Sequence, residues 1–423
     1  MTVFATIILV ICLLLAVQSL LALASGVRFA RYTRDPANGR QREYQPKAVI
    51  LVPCRGLDEE FEENLRPLFT QNYREYELIF ITENESDPAH GVIAQMIGTS
   101  PRPAWLLVAG EARNRGQKIH NLCAGIEMLN TIDRRTEVLA FADADARPGA
   151  DWLAGLVAPL GDKRIGATTG FRWFVPLRPP GLAGWLTRYL PSVLLTVWNA
   201  GALALLGERS RFAWGGSMAI RRENFDRLRV LERWSGAVSD DYMLSGAVHE
   251  ARQRIRFVPG ALVRSPLSTN WAGLLEFTTR QIRITRVYSP VVWRIGLAGY
   301  LFYNLALGGT LAILAINPAI DFSGGMIIAI VATCLLGAAN GALRAVVAFG
   351  LINSPSGSVA RWAGQISAHA ILNPLISLLY LYNFLSSLVS RRIVWRGISY
   401  QMISPSITIK EPLRDPDGER REA

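Results

Sequence analysis

The sequence has little charge, few cysteines and few histidines for its length. Of its 423 residues, 19% are charged, below the roughly 25% usual for soluble domains, whereas 50% are hydrophobic. This composition excludes a disordered chain, a collagen-like chain and a small disulfide-rich scaffold. The four cysteines form no C-x-x-C pair and the four histidines share no metal-ligand spacing. The sequence therefore predicts neither a disulfide framework nor a zinc site.

Acidic residues are outnumbered by basic ones, and the formal net charge is +11. In a soluble protein this excess would raise the question of nucleic-acid binding. In a chain this apolar, an anionic membrane surface is the better partner for the charge. We therefore expect a membrane partner and no nucleic acid.

Several runs without charged side chains are long enough to cross a bilayer, which takes about 20 apolar residues. Residues 1–27 form the first run and are predicted to be an N-terminal transmembrane anchor. Cleavage as a signal peptide after Ala24 is the alternative, but no basic residue precedes the run and the run is long for a signal peptide. The runs at 295–320, 322–343 and 362–390 predict C-terminal transmembrane helices within residues 291–390.

Basic residues next to these runs predict the orientation. Arg28, Arg31 and Arg34 follow the first run almost unopposed, which is typical of the cytoplasmic side. We therefore expect an integral membrane protein, in the inner membrane if the cell is bacterial, with the following domain in the cytoplasm. Residues 391–423 are predicted to be a cytoplasmic tail, partly disordered, because the last dozen residues are rich in Asp, Glu and Arg.

The C-terminal topology stays open at this level. Three full crossings after a cytoplasmic domain would put the tail outside, yet Arg391 and Arg392 prefer the inside. Asn373-Pro374 in the last run predicts a kink or a re-entrant break, and a re-entrant segment would remove the conflict.

Residues 45–290 have the pattern of an α/β domain. Short apolar runs at 48–53, 77–82, 105–108 and 138–142 predict strands, and helical stretches separate several of them. This alternation favours a parallel sheet covered by helices. In such sheets ligands bind beyond the carboxyl ends of the strands, so we expect the chemistry there.

Acidic residues follow two of the predicted strands. Asp143 and Asp145 come directly after 138–142, where the turning backbone lets both carboxylates reach one divalent cation; a plain turn or helix cap is the alternative. Glu83 and Asp87 follow 77–82 and are candidates for contacts with a base or ribose, or for simple loop solvation with Asp87 starting a turn.

Two further groups carry possible chemistry. In the adjacent pair Asp240-Asp241, one carboxyl with a raised pKa could act as a general base, or Asp240 could cap a helix. Arg280, Arg283 and Arg286 recur at a helical spacing, which predicts either a basic face beside the bilayer or contacts with a diphosphate.

A fourth apolar stretch, residues 189–207, lies between the two aspartate pairs. A full crossing there would separate the pairs by a membrane. Pro191 and Gly201 favour a broken helix in the interface that could hold a lipid tail; a core helix of the α/β domain is the alternative.

The order of these motifs resembles that of the family 2 glycosyltransferases with the GT-A fold, and within them the ceramide glucosyltransferases and their bacterial relatives. The matching stretches are LVPCRG, ITENESDPA, GQKIHNL, FADADARP, GGSMAIRR, SDDYML and RQIRI. The tail segment Trp395-Arg396-Gly397 with Tyr400 is also similar to the family. The resemblance implies a mixed, Rossmann-like sheet in a cytoplasmic GT-A domain with transmembrane helices on both sides.

The resemblance also implies roles for individual residues. Asp143 and Asp145 would bind Mg²⁺ or Mn²⁺ with the donor diphosphate, and Asp241 would be the general base. The remaining residues are donor-binding Glu83, Asp87 and Lys118, leaving-group Arg280 and Arg283, and acceptor-side Gly216, Ser217 and Asp240.

The implied activity is an inverting, metal-dependent hexosyl transfer from a UDP-sugar to the hydroxyl of a membrane lipid, ceramide-like or other. One departure concerns Ile284, where the family has Trp after the second Arg. The absence of that Trp argues against the first alternative, a processive polysaccharide synthase of the cellulose or hyaluronan type. The second is a non-catalytic membrane protein with a degenerate nucleotide-sugar domain.

Overall fold

The computed structural model describes residues 2–35, 43–132, 135–352 and 359–411. Its contacts divide the chain into two compact units. The sheet unit comprises the described parts of Arg34–Leu177, Leu205–Ser268 and Arg391–Ala423. The helical unit comprises those of Met1–Thr33, Arg178–Ala204 and Thr269–Ser390.

The sheet unit is built on a seven-stranded mixed sheet with the order β3-β2-β1-β4-β6-β5-β7. Its strands are β1 Ala48–Pro53, β2 Tyr76–Thr82, β3 Ala104–Val108, β4 Val138–Ala142, β5 Ile165–Pro176, β6 Ser217–Arg221 and β7 Arg254–Leu267. Strands β1 to β4 run parallel, as does the pair β5 and β7, and β6 is antiparallel to both of its neighbours. The predicted α/β fold class is confirmed.

The four strands predicted from apolar runs all form, with bounds that agree within a residue. Strands β1 and β4 lie side by side inside the sheet and are almost wholly buried, as expected of parallel strands covered on both faces. Because their carboxyl ends lie at one edge, the residues that follow β1, β2 and β4 come together there.

Short helices connect the strands of this sheet. They are α2 Phe61–Leu65, α3 Pro88–Thr99, α4 Gln117–Ile132, α5 Trp152–Val157, α8 Arg222–Arg227, α9 Val230–Arg233 and α10 Asp240–Glu250, with 3₁₀ turns at Arg66–Thr70 and Ala158–Gly161. The helical unit contains α1 Thr2–Arg34, α6 Gly181–Gly184, α7 Leu190–Asn199, α11 Trp271–Tyr288, α12 Pro290–Ile316, α13 Ser323–Leu351, α14 Val359–Leu372 and α15 Ile376–Val389.

Part of the predicted tail folds with the sheet unit. Strands β8 Arg392–Trp395, β9 Ile398–Ser404 and β10 Ile407–Glu411 form an antiparallel sheet with the order β10-β9-β8. Tyr400 and Met402 on β9 are buried. Residues 412–423, on which the prediction of disorder falls, lie outside the described residues.

Three helices of the helical unit are long and apolar enough to cross a membrane: Val3–Arg34, Pro290–Ile316 and Ser323–Leu351. The pair Trp362–Leu372 and Ile376–Val389 would add a fourth only if it counts as one broken span, since it bends by 60°. The bend lies at Asn373-Pro374, the position at which the sequence predicts a break.

The segment predicted to lie in the interface packs within the helical unit. It is helical from Gly181 to Leu205, passing through a π-helical turn and ending in a 3₁₀ turn. Trp198 stacks on Tyr380 of α15, and the Tyr380 hydroxyl donates to the Trp198 carbonyl at 2.6 Å. Residues 178–204 thus group with the long apolar helices, and their position in the membrane interface stays a prediction.

Candidate active site

A lysine joins the two aspartate pairs of the sheet unit. Asp143 directly follows β4, and Lys118 lies in the first turn of α4. Lys118 Nζ is 2.7 Å from Asp143 Oδ1 and 3.4 Å from Asp240 Oδ1. The D-x-D motif and the Asp240-Asp241 pair, about a hundred residues apart in sequence, therefore belong to one cluster.

The second carboxylate of the D-x-D motif has a different cation. Asp145 Oδ2 lies 3.2 Å from Arg172 Nη1. Arg172 is on β5, and its guanidinium also stacks over the Trp214 ring at 4.8 Å. The two aspartates thus pair with separate basic residues, Asp143 with Lys118 and Asp145 with Arg172.

Two glycines bring the loop before β6 against this cluster. A Cβ on Gly215 would lie 2.3 Å from Asp240 Oδ2, and one on Gly216 would lie 2.5 Å from Asp143 Oδ2 and 2.2 Å from the Trp214 ring. The Asp143 amide also donates to the Gly216 carbonyl at 3.3 Å. A side chain at either position would displace the Asp240 or Asp143 carboxylate, which accounts for the two glycines.

Asp240 and Asp241 point to different surroundings. Ser239, not Asp240, caps helix α10 by accepting from the Tyr242 amide, so the alternative that made Asp240 the cap is wrong. Asp240 is 2% exposed. Asp241 is half-buried, accepts from the Tyr242 amide at 2.8 Å and from the Gly215 amide at 3.4 Å, and pairs with the Ser239 hydroxyl.

Burial and the charges of neighbouring groups shift the pKa values of Asp240 and Lys118. Burial, partly offset by Lys118 and reinforced by Asp241 and Asp143, raises the pKa of Asp240 to about 7. Burial alone would lower the pKa of Lys118, but the three surrounding carboxylates raise it. Lys118 is therefore held as a cation, and of the two adjacent aspartates Asp241 is the more accessible to a substrate.

The acidic loop after β2 is tied to the loop after β1. Asp87 caps α3 by accepting from the Ala89 amide at 2.9 Å, and it also accepts from the Gly56 amide at 2.9 Å. Gly56 has a φ of 65°, a left-handed conformation that favours glycine. Glu83 forms an ion pair with Arg55. These carboxylates shape the loops, and their predicted contacts with a nucleotide stay predictions.

The start of α4 is fixed by a network around Gln117. Its side chain accepts from the Ala112 amide and donates to the Gly110 carbonyl, each at 2.8 Å. The backbone amide of Gln117 donates to the Tyr400 hydroxyl of β9 at 3.1 Å. These bonds set the position of the neighbouring Lys118, for which a donor-binding role was predicted.

Not every predicted site residue joins the cluster. Ser217 is fully buried, and its hydroxyl accepts from Trp152 Nε1 at 2.8 Å and donates to the Ala261 carbonyl at 3.1 Å, so it supports the sheet. Arg280 and Arg283 lie on α11 in the helical unit, where Arg280 pairs with Glu276 and Arg283 donates to Ser386. Their predicted role at a diphosphate stays a prediction.

Some residues at the site were missed by sequence reasoning. Arg172 was detectable as the one charged side chain in the apolar run of β5, because a buried charge needs a partner. Arg55 lies two residues after the end of β1, at the same edge of the sheet as Asp143. Nothing in the sequence around it indicated its ion pair with Glu83. Asp58 and Arg396 are paired at 2.6 Å, and no local pattern links positions so far apart.

The D-x-D carboxylates fit a divalent cation only with help from a ligand. Asp145 Oδ1 is buried and has no hydrogen-bond partner in the described structure, as an oxygen reserved for a cation would. Within the described ranges, no three His, Cys, Asp or Glu side chains cluster closely enough to hold an ion. Phosphate oxygens and water would have to complete the coordination, as is usual for Mg²⁺.

Comparisons with known proteins identify a family for the chain. The family model described as glycosyl transferase family 21 matches residues 7–406. A ceramide glucosyltransferase of Komagataella phaffii is 33% identical over 82 residues, 18% of this chain and 16% of that protein. Ceramide glucosyltransferase 1 of Caenorhabditis elegans is 31% identical over 78 residues, 18% of this chain and 17% of that protein. The alignments span about a sixth of these relatives' length.

A solved structure of similar extent is also known. The mannosyltransferase PcManGT of Pyrobaculum calidifontis, in complex with GDP-Man and Mn²⁺, has a TM-score of 0.47 and 17% identity over 90% of this chain and 98% of that one. The family assignment rests on the family model, which matches nearly the whole chain.

Proposed function

The chain belongs to glycosyl transferase family 21, and from that membership we propose that it moves a hexose from a UDP-sugar to the hydroxyl of a membrane lipid, with inversion at the anomeric carbon. Membership confirms the predicted enzyme class, a hexosyltransferase. The ceramide glucosyltransferases among its relatives support a ceramide-like acceptor. The observation that carries the proposal is the cluster in which Lys118 joins Asp143 to Asp240, beside Asp241.

Asp241 is the general base of this proposal. It takes the proton of the lipid hydroxyl while the hydroxyl oxygen bonds to the anomeric carbon and the bond from that carbon to the diphosphate breaks, releasing UDP. One displacement inverts the configuration, so a single base suffices. The Ser239 hydroxyl and the Tyr242 amide orient the Asp241 carboxylate for proton transfer.

Asp143 and Asp145 would hold the divalent cation of the donor complex. When bound, a divalent cation offsets the charge that grows on the leaving diphosphate. Lys118 and Arg172 lower the electrostatic repulsion between the two carboxylates, and Arg280 and Arg283 are the further candidates for the leaving group. The apolar helices anchor the enzyme in the membrane that contains the acceptor.

The test is UDP release by the purified protein in detergent. UDP-glucose, UDP-galactose and UDP-N-acetylglucosamine are each offered with ceramide or diacylglycerol and with Mn²⁺ or Mg²⁺. We expect lipid-dependent release that EDTA stops. Asp241→Asn should lower the rate by about 10²-fold or more, the usual contribution of a general base.

The matched control is Asp226→Asn, because Asp226 is an exposed aspartate of the sheet unit that pairs with Arg222. It should keep the wild-type rate. Release without added lipid, with a long carbohydrate product, would indicate a polysaccharide synthase instead. Donor binding without release for any pair would indicate a non-catalytic protein, and equal rates for Asp241→Asn and wild type would contradict the assigned base.

A further inference from the structure

The C-terminal sheet is fastened to the sheet unit beside the D-x-D motif. The Tyr400 hydroxyl accepts from the Gln117 amide, next to Lys118. Lys410 pairs with Glu111 at another point. A Cβ on Gly236 would lie 1.9 Å from the Ser406 carbonyl oxygen, so the sheet packs against backbone there. The last described strands are therefore part of the sheet unit and not a free tail.

The turn between β8 and β9 brings Arg396 to the loop after β1. Trp395 pairs with Ile398 across the hairpin, so Arg396 and Gly397 are its two turn residues. Their φ angles are 51° and 75°, as a two-residue turn of type I′ requires. A left-handed backbone is common for Gly and uncommon for Arg. A residue held in such a conformation is a candidate for function when specific hydrogen bonds also hold its side chain in place.

The side chain of Arg396 is held by a hydrogen bond in this way. Its Nη2 donates to Asp58 Oδ2 at 2.6 Å, and its carbonyl accepts from Arg55 Nε at 3.1 Å. The Arg396 side chain remains 38% exposed, so its guanidinium is held by a carboxylate without being enclosed. A planar guanidinium has enough donors to pair with one carboxylate and still bind a second anion.

The field of the D-x-D motif reaches this guanidinium. Burial would lower the pKa of Arg396, but Asp58, and after it Asp145 and Asp143, raise it. The positive charge of Arg396 thus lies near both D-x-D carboxylates, while its hydrogen bond goes to Asp58. This is the place at which a diphosphate coordinated with those carboxylates would bring further negative charge.

We propose that Arg396 is a donor-site residue: the β8–β9 turn presents its guanidinium to the diphosphate of the nucleotide sugar, and Asp58 holds it there. The proposal rests on the proposed function, which supplies the nucleotide sugar. It extends the site to a residue some 250 positions beyond the D-x-D motif. In this proposal the C-terminal sheet has a function, because it contributes Arg396 to the donor site.

The experiment measures binding of UDP with Mn²⁺ by titration calorimetry in detergent, and KM for whichever UDP-sugar supports UDP release in the assay above. We expect Arg396→Ala to weaken UDP binding about ten- to a hundredfold, the usual effect of losing a hydrogen bond to a charged group. Arg396→Lys keeps the charge but loses the planar fork and should fall between. KM for the lipid should stay unchanged.

Lys410→Ala is the matched control. It removes an ion pair of the same C-terminal sheet at Glu111, away from the turn, and should leave UDP binding within twofold of wild type. Arg396→Gln is the second variant if Arg396→Ala fails to fold, and the same loss of binding is expected.

Each contrary result has one meaning. Wild-type protein that binds no UDP overturns the proposed function and this inference with it. Wild-type binding that Arg396→Ala or Arg396→Gln leaves unchanged overturns the inference alone. Equal losses in Arg396→Ala and Lys410→Ala would also overturn it, because Arg396 would then act only as a fastening of the sheet.

Discussion

Two adjacent aspartates in the first turn of α10, Asp240 and Asp241, have different surroundings and different proposed roles. Asp240 is buried against Lys118, which also pairs with Asp143. Asp241 is half-buried and oriented by Ser239 and Tyr242. We assign the buried carboxylate to positioning Lys118 and the accessible one to chemistry. The two carboxyls differ in solvation, and this difference has a measurable consequence for stability.

The free energy of unfolding should depend on pH through Asp240. Its pKa of about 7 in the folded state lies above the unperturbed value of about 4, so the folded state binds more protons between these values. Its contribution to stability is therefore complete at the acidic end of that window and is lost as pH rises through about 7. Asp240→Asn cannot ionise, so its stability relative to wild type should increase with pH.

Thermal unfolding in detergent with EDTA, at several pH values between about 5 and 8, checks this expectation. Asp226→Asn changes an exposed aspartate and should run parallel to wild type. A difference between Asp240→Asn and wild type that is the same at every pH would contradict the shifted pKa.

At the scale of elements, helix α13 depends on a glycine for its packing. A Cβ on Gly341 would lie 2.3 Å from the His369 carbonyl oxygen of α14. Gly341→Ala should therefore destabilise the protein by about 1–3 kcal/mol, because the backbone of α14 must move. Gly350 lies on the same helix with open space around it, and Gly350→Ala should be neutral or stabilise by up to about 1 kcal/mol. Thermal unfolding in detergent measures both, and equal effects would contradict the close approach.

The bent pair α14 and α15 has the dimensions of two half-spans. The apolar part of α14, Trp362–Leu372, and helix α15, Ile376–Val389, have 11 and 14 residues and are about 16 and 21 Å long, against a hydrocarbon core of about 30 Å. Neither crosses alone, and the 60° bend shortens their combined reach. The break is local chemistry: the ring of Pro374 prevents a continuous helix.

At the scale of the whole molecule, the path of the chain limits the number of crossings. Residues 48–177 and 392–411 belong to one compact unit, and Arg396 pairs with Asp58 within it. A folded unit lies on one side of a membrane, so the chain between Thr269 and Ser390 must return to the side it left. If α12 and α13 each cross, α14 and α15 together form a re-entrant pair.

Cysteine labelling in sealed vesicles tests this topology. Ile352→Cys and Val389→Cys, at the two ends of the bent pair, should react from the same side. Asp321→Cys, between α12 and α13, should react from the other. Wild type is the control, since three of its four cysteines are buried and Cys334 is half-buried. Labelling of residues 352 and 389 from opposite sides would indicate a full crossing.

The sequence by itself determined the elements that depend on local pattern. The strands of the parallel sheet follow from short apolar runs, because a strand buried on both faces needs apolar side chains at every position. The D-x-D motif at the end of β4 follows from the same run. The long apolar helices and the break at Asn373-Pro374 also follow from local composition and from proline geometry. The family's motifs add the enzyme class.

Only the tertiary structure decided which side chains meet. Lys118 between Asp143 and Asp240, Arg172 on Asp145, and Arg396 on Asp58 join residues that lie far apart in sequence. Their meeting depends on the strand order, on the antiparallel insertion of β6 and on the return of β8–β10 to the sheet unit. Local propensity carries no information on these distances, because packing of the whole chain sets them.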